Sequence, residues 1–179
     1  MSGRRLDGAA FERSAADKIA LAISGADLDA FRASFDAIRF ATRLVQRLES
    51  TVHRPAGWSM AGFRVMFCVW VAGELEPRDI SHFSGLSRAA VSSVLNTLER
   101  EGLVERRRES DDRRLVTVRL TSAGERGMLA AYEQQNRVEQ DVFGGMSRAA
   151  LRTHVDQLQR LLARRPSDGE AAAVRSFQP

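Results

Sequence analysis

The sequence predicts a mainly α fold with a small two-stranded antiparallel wing. Three observations lead there. Apolar residues recur at three-, four- and seven-residue steps along most of the chain. The rhythm changes once, at residues 103–120, to a pair of short β-branched runs. Ser, Thr, Gly and Pro stand at the points where one element should give way to the next.

Residues 1–26 are weakly patterned. Phe11, Ile19 and Leu21 to Ile23 suggest an N-terminal extension that is either a short helix or a flexible arm. Leu28, Phe31, Phe35, Ile38, Val45 and Leu48, widened by Ala41 and Leu44, predict a long helix from about Asp27 to Ser50. Pro55 and Gly57 break the pattern over His53 to Gly57. Ser59 suits the N-cap of a second helix running to about Ala72 and stopped by Gly73. Phe63, Met66, Phe67 and Trp70 form its stripe, and Val65, Cys68, Val69 and Val71 make it apolar nearly all round, which predicts a central place in the core.

Pro77 starts a short helix to Phe83, and Ser84-Gly85-Leu86 makes a tight turn. Ser87 caps the next helix, whose inward positions are Val91, Val94, Leu95 and Leu98, and Gly102 ends it. Leu103 to Arg106 reads as one strand and Leu115 to Leu120 as its partner, with a polar loop from Arg107 to Arg114 between them. Thr121 caps a helix over Ser122 to Phe143, ended by Gly144-Gly145. Ser147 caps a last helix carrying Leu151, Val155, Leu158, Leu161 and Leu162. The tail from Pro166 onward reads as frayed.

At 179 residues, 44% hydrophobic and 28% charged, the chain has the composition of one globular protomer rather than a disordered or collagen-like one. The formal net charge is only +4, yet the isoelectric point is about 10.4. The two agree because 26 of the 27 cations are Arg and only Lys18 is lysine, so little titrates between neutrality and the Arg range. The Arg bias fits phosphate recognition and fits a GC-rich genome equally. A single cysteine excludes an intrachain disulfide and a Cys-rich zinc site, and suits a reducing, cytoplasmic setting. The longest apolar run, Val65 to Gly73, is far short of a membrane span, so no membrane partner is expected. His53, His82 and His154 form no metal-ligand spacing, and no phosphate loop or nucleophile elbow occurs. The expectation is a protein that is not an enzyme and needs no metal or cofactor.

Two helices joined by a Gly-containing turn and followed by a hairpin make a winged helix-turn-helix, here flanked by N- and C-terminal dimerisation helices. With its apolar stripe inward, the second helix presents Arg88, Ala89, Ser92, Ser93 and Asn96, small or hydrogen-bonding side chains that permit close approach to base edges. Ser87 joins them at the cap. Arg88 suits guanine or phosphate, and Asn96 suits adenine or phosphate. The hairpin stretch Arg106 to Arg114 reads RRRESDDRR, eight charged residues of nine. Arg106, Arg107, Arg108, Arg113 and Arg114 are candidate DNA contacts, with Asp112 placed to order the tip so that an Arg can enter the minor groove. Alone, such a run reads as a solvated hairpin end; after a helix-turn-helix it reads as a wing. The stripes of the flanking helices, with Phe31, Phe35, Ile38, Leu151, Val155, Leu158 and Leu162, suit burial against a second copy. A two-fold dimer sets its two reading helices ~34–36 Å apart, which matches a near-palindromic operator in double-stranded DNA.

The stretches Ile80 to Val91, Leu98 to Arg106, Asp112-Arg113-Arg114 and Val118 to Thr121, with Gly124 beyond, resemble the MarR family of bacterial transcription regulators. The resemblance covers about Asp27 to Arg165. It implies a homodimer based on the terminal helices, and repression of neighbouring genes relieved by a small ligand or oxidant. The family's Asp-x-Arg triplet matches Asp112 and Arg114, which makes Arg114 the candidate for minor-groove insertion and Asp112 its orienting partner. Residues 1–26 extend beyond the usual start. The oxidant-sensing branch carries a cysteine near the N-terminus, whereas Cys68 lies in the apolar second helix and reads as structural. A small aromatic or phenolic effector would sit between the dimer helices and the DNA module. Arg39, Arg43, Trp58 and Phe63 are candidate contacts for it, with solvent-facing arginines and core aromatics as the alternative reading.

The expected organisation is an extension at 1–26, a first dimerisation helix and loop at 27–57, the winged module at 58–121, C-terminal dimerisation helices at 122–165 and a tail at 166–179. Two other functions remain compatible with the residues: a winged module used for protein contact with no specific DNA site, and a small helical enzyme. Activation rather than repression is a variant of the first reading.

Overall fold

A computed structural model describes residues 7–108 and 116–164, with the Arg108 side chain outside the described set. Among those residues are seven α-helices and three short strands. The chain divides into two compact units, Met1–Gln135 and Asn136–Pro179, with the division falling inside a single helix.

In the first unit, α1 (Gly8–Ala22) starts where the Asp7 carboxylate accepts from the Ala10 amide at 2.7 Å. The extension is therefore helical over most of its length. It lies against α2 (Leu28–Leu48), capped by Asp27. Phe11 stacks on Phe35 at 6.1 Å, Glu12 faces Arg32 at 3.9 Å, and Ala16 is buried. The long helix does not stop at residue 50 as expected. It widens into a π-helical turn, Glu49–His53, that carries Val52 and His53 into the core before the chain turns.

Helix α3 (Met60–Ala72) starts at Ser59, whose hydroxyl accepts from the Gly62 amide at 3.1 Å, and its Val65, Met66 and Val69 are fully buried. Its outer edge is less enclosed than the sequence suggests, since Val71 is exposed. After Gly73 comes a strand the sequence did not reveal, β1 (Glu74–Leu75). Helix α4 (Pro77–Ser84) and helix α5 (Arg88–Arg100) follow, with Ser87 capping α5. The hairpin is β2 (Val104–Arg108) with β3 (Val116–Leu120), paired from Val104↔Leu120 to Arg108↔Val116. The expected two-stranded wing is thus a three-stranded sheet of order β1-β3-β2, because Glu74 and Leu75 pair with Arg119 and Val118. Arg107 and Arg108, expected in the loop, belong to β2.

Helix α6 (Ser122–Phe143) begins against the root of that hairpin. The Leu103 carbonyl accepts from the Thr121 amide at 3.0 Å, while the Thr121 hydroxyl donates to Gly102 and accepts from the Gly124 amide. Gly124 is a glycine for want of room, since a Cβ there would lie 2.0 Å from the Leu103 carbonyl oxygen. In the second unit, the end of α6 and α7 (Arg148–Ala163, capped by Ser147) form a helical hairpin, with Phe143 and His154 6.4 Å apart. No helix among the described residues is long and apolar enough to cross a membrane.

Cys68 is half-buried on α3. Burial pushes its thiol above the usual range, offset in part by the nearby Arg64 cation and by a hydrogen bond to its own backbone. At pH 8 the folded protein should therefore carry less thiolate than an unfolded chain. Its reaction with a chromogenic disulfide should be slower, and should accelerate in guanidinium. A second prediction concerns α6. Helix propensity alone favours Ala over Gly by about 1 kcal/mol. The missing space reverses the sign, so Gly124→Ala should lower stability by about 1–3 kcal/mol in urea unfolding. A neutral or stabilising result would show that the hairpin root does not constrain α6.

Candidate nucleic-acid interface

The reading helix is placed from both ends. At its start, Gly85 takes a left-handed conformation (φ 67°), which lets the chain reverse between α4 and α5 without strain. The Ser81 hydroxyl donates to the Leu86 carbonyl at 2.7 Å, and the Ser84 hydroxyl accepts from the Leu86 amide at 3.3 Å, so the turn is closed by side chains of α4. The Ser87 hydroxyl accepts from the Ala90 amide at 3.2 Å. At its end, the Leu103 amide donates to the Leu98 carbonyl at 2.9 Å, which sends the chain directly into β2.

Val91, Leu95 and Leu98 are buried and Val94 partly so, which turns the opposite face to solvent. Ser87, Arg88, Ala89, Ser92, Ser93 and Asn96 are all exposed on it, as the helical spacing requires. Arg88 makes no ion pair among the described residues. The face is therefore small and polar, bearing one cation near the N-terminus of α5.

The wing is less uniform than its composition suggests. Side chains alternate along β2, so Val104 and Arg106 share one face and Glu105 and Arg107 the other. Arg106 turns inward to α5, where Nη1 donates to the Glu99 carboxylate at 2.5 Å and Nη2 to the Asn96 amide oxygen at 2.7 Å. On the outer face, Glu105 stands opposite Arg119 and accepts from its guanidinium, with Arg107 at 3.7 Å from the same carboxylate. Thr117 donates to Glu74, joining β3 to β1. Asp112, Arg113 and Arg114 lie outside the described residues, as does the Arg108 side chain. Sequence reasoning missed Glu99 as a partner of the wing. Its acceptor role depends on a strand seven residues away, which no local signal announces.

The four candidate effector contacts are used in different ways. Arg39 donates to the Gly8 carbonyl at 3.3 Å, pairs with Asp36 at 3.3 Å and lies 5.3 Å over the Phe35 ring. Arg43 is exposed on α2. Phe63 is in the core, stacked between His53 at 4.4 Å and Phe67 at 6.0 Å. His53 is fully buried, its Nε2 3.0 Å from the Gln135 side-chain oxygen. Trp58 lines a cleft of about 400 Å³ with Val52, Pro55, Gly127, Ala130 and Gln134. Of the expected dimer residues, Phe31 and Phe35 are partly covered by stacking with each other and with Phe11. Ile38 is 68% exposed and Leu162 85%, and Val155 and Leu158 are exposed on the same helix as Leu162. Among the described residues no three His, Cys, Asp or Glu gather to hold a metal ion.

Residues 58–116, which hold α3 through the start of β3, match the model of the MarR family. The chain is 30% identical over 126 residues to YwaE of Bacillus subtilis, an uncharacterized HTH-type transcriptional regulator, a span of 70% of this chain and 74% of the relative. Solved structures that share the fold include a ligand complex and a DNA complex. NadR in complex with 4-hydroxyphenylacetate superposes with a TM-score of 0.64 at 20% identity, covering 79% of this chain and 96% of that one. A MarR mutant from E. coli complexed with operator DNA superposes with a TM-score of 0.62 at 20% identity, covering 76% and 99%.

Proposed function

The chain belongs to the MarR family of DNA-binding transcriptional regulators, and from that premise we propose that it is a homodimeric, sequence-specific repressor released by a small-molecule effector. The observation that carries the reading is the exposed face of α5, small and polar, standing beside an Arg-bearing hairpin. Ser87, Arg88, Ala89, Ser92 and Ser93 would enter the major groove, with Arg88 on guanine or phosphate. The wing, from Arg107 to Arg114, would follow the backbone into the flanking minor groove, Asp112 holding Arg114 in place.

Dimerisation is supported by apolar side chains that one protomer leaves in water. Ile38 on α2 and Val155, Leu158 and Leu162 on α7 are large and exposed, and a second copy would cover them. For the effector we propose a small aromatic or phenolic molecule. Trp58 and its cleft are the support within this chain, and the bound 4-hydroxyphenylacetate of NadR is the support from a protein of the same fold. The effector would act by favouring a dimer in which the two reading helices no longer match the operator. A cytoplasmic location follows from the same reading.

Selection from random duplex DNA should recover a near-palindrome, and recovery of no motif would favour a protein-contact role instead. On that operator, Arg88→Ala and Arg114→Ala should each weaken binding by about 1–3 kcal/mol while the dimer persists. The logarithm of affinity should fall linearly with the logarithm of salt concentration, with a slope of about −0.9 per phosphate neutralised. In light scattering, Leu158→Glu with Leu162→Glu should halve the mass of the particle. An unchanged mass would remove α7 from the interface. Small aromatic acids that raise the melting temperature should also release the operator.

A further inference from the structure

Glu99, Asn96 and Arg106 form a side-chain cluster whose geometry is more specific than a surface ion pair. Glu99 and Asn96 are three residues apart on α5, so both project from one face of the helix. The Arg106 guanidinium reaches them from β2 with its two terminal nitrogens, one to each acceptor, at 2.5 and 2.7 Å. Arg106 is 30% exposed and Glu99 40%, so the contact is solvent-accessible and lies at the edge of the core. The neighbour of Arg106 on that face of the strand, Val104, is buried, and the cross-strand partner of Arg106, Val118, is fully buried. The cluster therefore closes the seam between the reading helix and the hairpin.

The chemistry determines how Asn96 is oriented. Arginine has only donors, so the amide oxygen of Asn96 must face it. An asparagine that reads adenine needs that oxygen to accept from the base N6 while its nitrogen donates to N7. Here Arg106 occupies one lone pair of that oxygen and sets the plane of the amide. Glu99 likewise neutralises the charge that Arg106 would offer to a phosphate. Arg107, one residue on, faces the opposite side of the strand with 56% of its side chain exposed, and shares the Glu105 carboxylate there with Arg119.

We infer that Glu99, Arg106 and Asn96 form a bracket that sets the angle of the wing against the reading helix. Arg106 and Asn96 serve DNA binding as positioning residues, not as contacts to bases or phosphate, and Glu99 joins them in that role. The inference rests on the DNA-binding reading above. It removes two residues from the contact set that the helical face and the Arg run suggest, and adds one that they do not.

Two substitutions separate a bracket from a contact. Arg106→Lys keeps the charge but loses the fork, since one compact ammonium cannot span both acceptors as the guanidinium does. Adding Asn96→Asp gives that ammonium a second carboxylate. Arg106→Lys should weaken operator binding about threefold to tenfold, and the double variant should return it to within about twofold of wild type. Asn96→Asp alone should leave the base preferences of a random-duplex selection unchanged. If these side chains touched DNA, the added negative charge would weaken the double variant further, and Asn96→Asp would erase the preference at one position. Either result would overturn the bracket. Amide hydrogen exchange of β2 and β3 supplies a readout without DNA: faster in Arg106→Lys and slowed again in the double variant. Unchanged exchange in every variant would also overturn it. Restored exchange in a protein that selects no duplex would uphold the bracket and overturn the DNA-binding reading instead.

Discussion

The placement of α5, the hairpin and α6 depends on the Leu103 backbone. Its amide donates to Leu98 at the end of α5, and its carbonyl accepts from Thr121 at the start of α6. Between those two bonds the hairpin leaves and returns, so one residue ties the reading helix, the wing and the long helix together. Gly124 allows α6 to come this close, and the Thr121 hydroxyl satisfies backbone groups on both sides of the gap. A tilt of any of the three elements strains one of these hydrogen bonds or the close Gly124 contact.

The electrostatics are organised by pairing and not by accumulation. Many arginines are matched locally: Arg32 with Asp29 and Glu12, Arg39 with Asp36, Arg78 with Glu76, Arg106 with Glu99, Arg119 with Glu105. Exposed pairs of this kind add little stability each. Their effect is to cancel part of the charge locally. Arg88 at the head of α5 makes no ion pair among the described residues, whereas Arg107 on the outer face of β2 lies 3.7 Å from the Glu105 carboxylate.

The N-terminal extension shows why an Arg on a helix is hard to interpret alone. Arg39 has the spacing of a solvent-facing residue and the chemistry of an anion receptor. In the fold it is committed to the Gly8 carbonyl and to the Phe35 ring, so it fastens α1 onto α2. Phe35 is similarly shared, because Phe11 already covers part of the stripe that the sequence offers to a second copy. The large side chains left in water are Ile38, Phe40 and Val45 on α2, and Val155, Leu158, Leu161 and Leu162 on α7.

The helices, their caps and the helix-turn-helix were determined by the sequence alone. Ser59, Ser87, Thr121 and Ser147 cap where they stand because a cap is satisfied within three residues, and apolar periodicity shows which face of α5 must turn outward. Distance along the chain is what the sequence could not resolve. The strand Glu74–Leu75 is too short to carry a pattern and exists only because β3, more than forty residues on, offers it a partner. The π-helical turn that seats His53 against Gln135 likewise depends on a helix 82 residues away. That the Asn96 amide oxygen accepts from Arg106, and that Arg106 meets Glu99, depends on the strand that brings them together. Local rules settle which residues are exposed; only tertiary contact settles which exposed residues are already engaged.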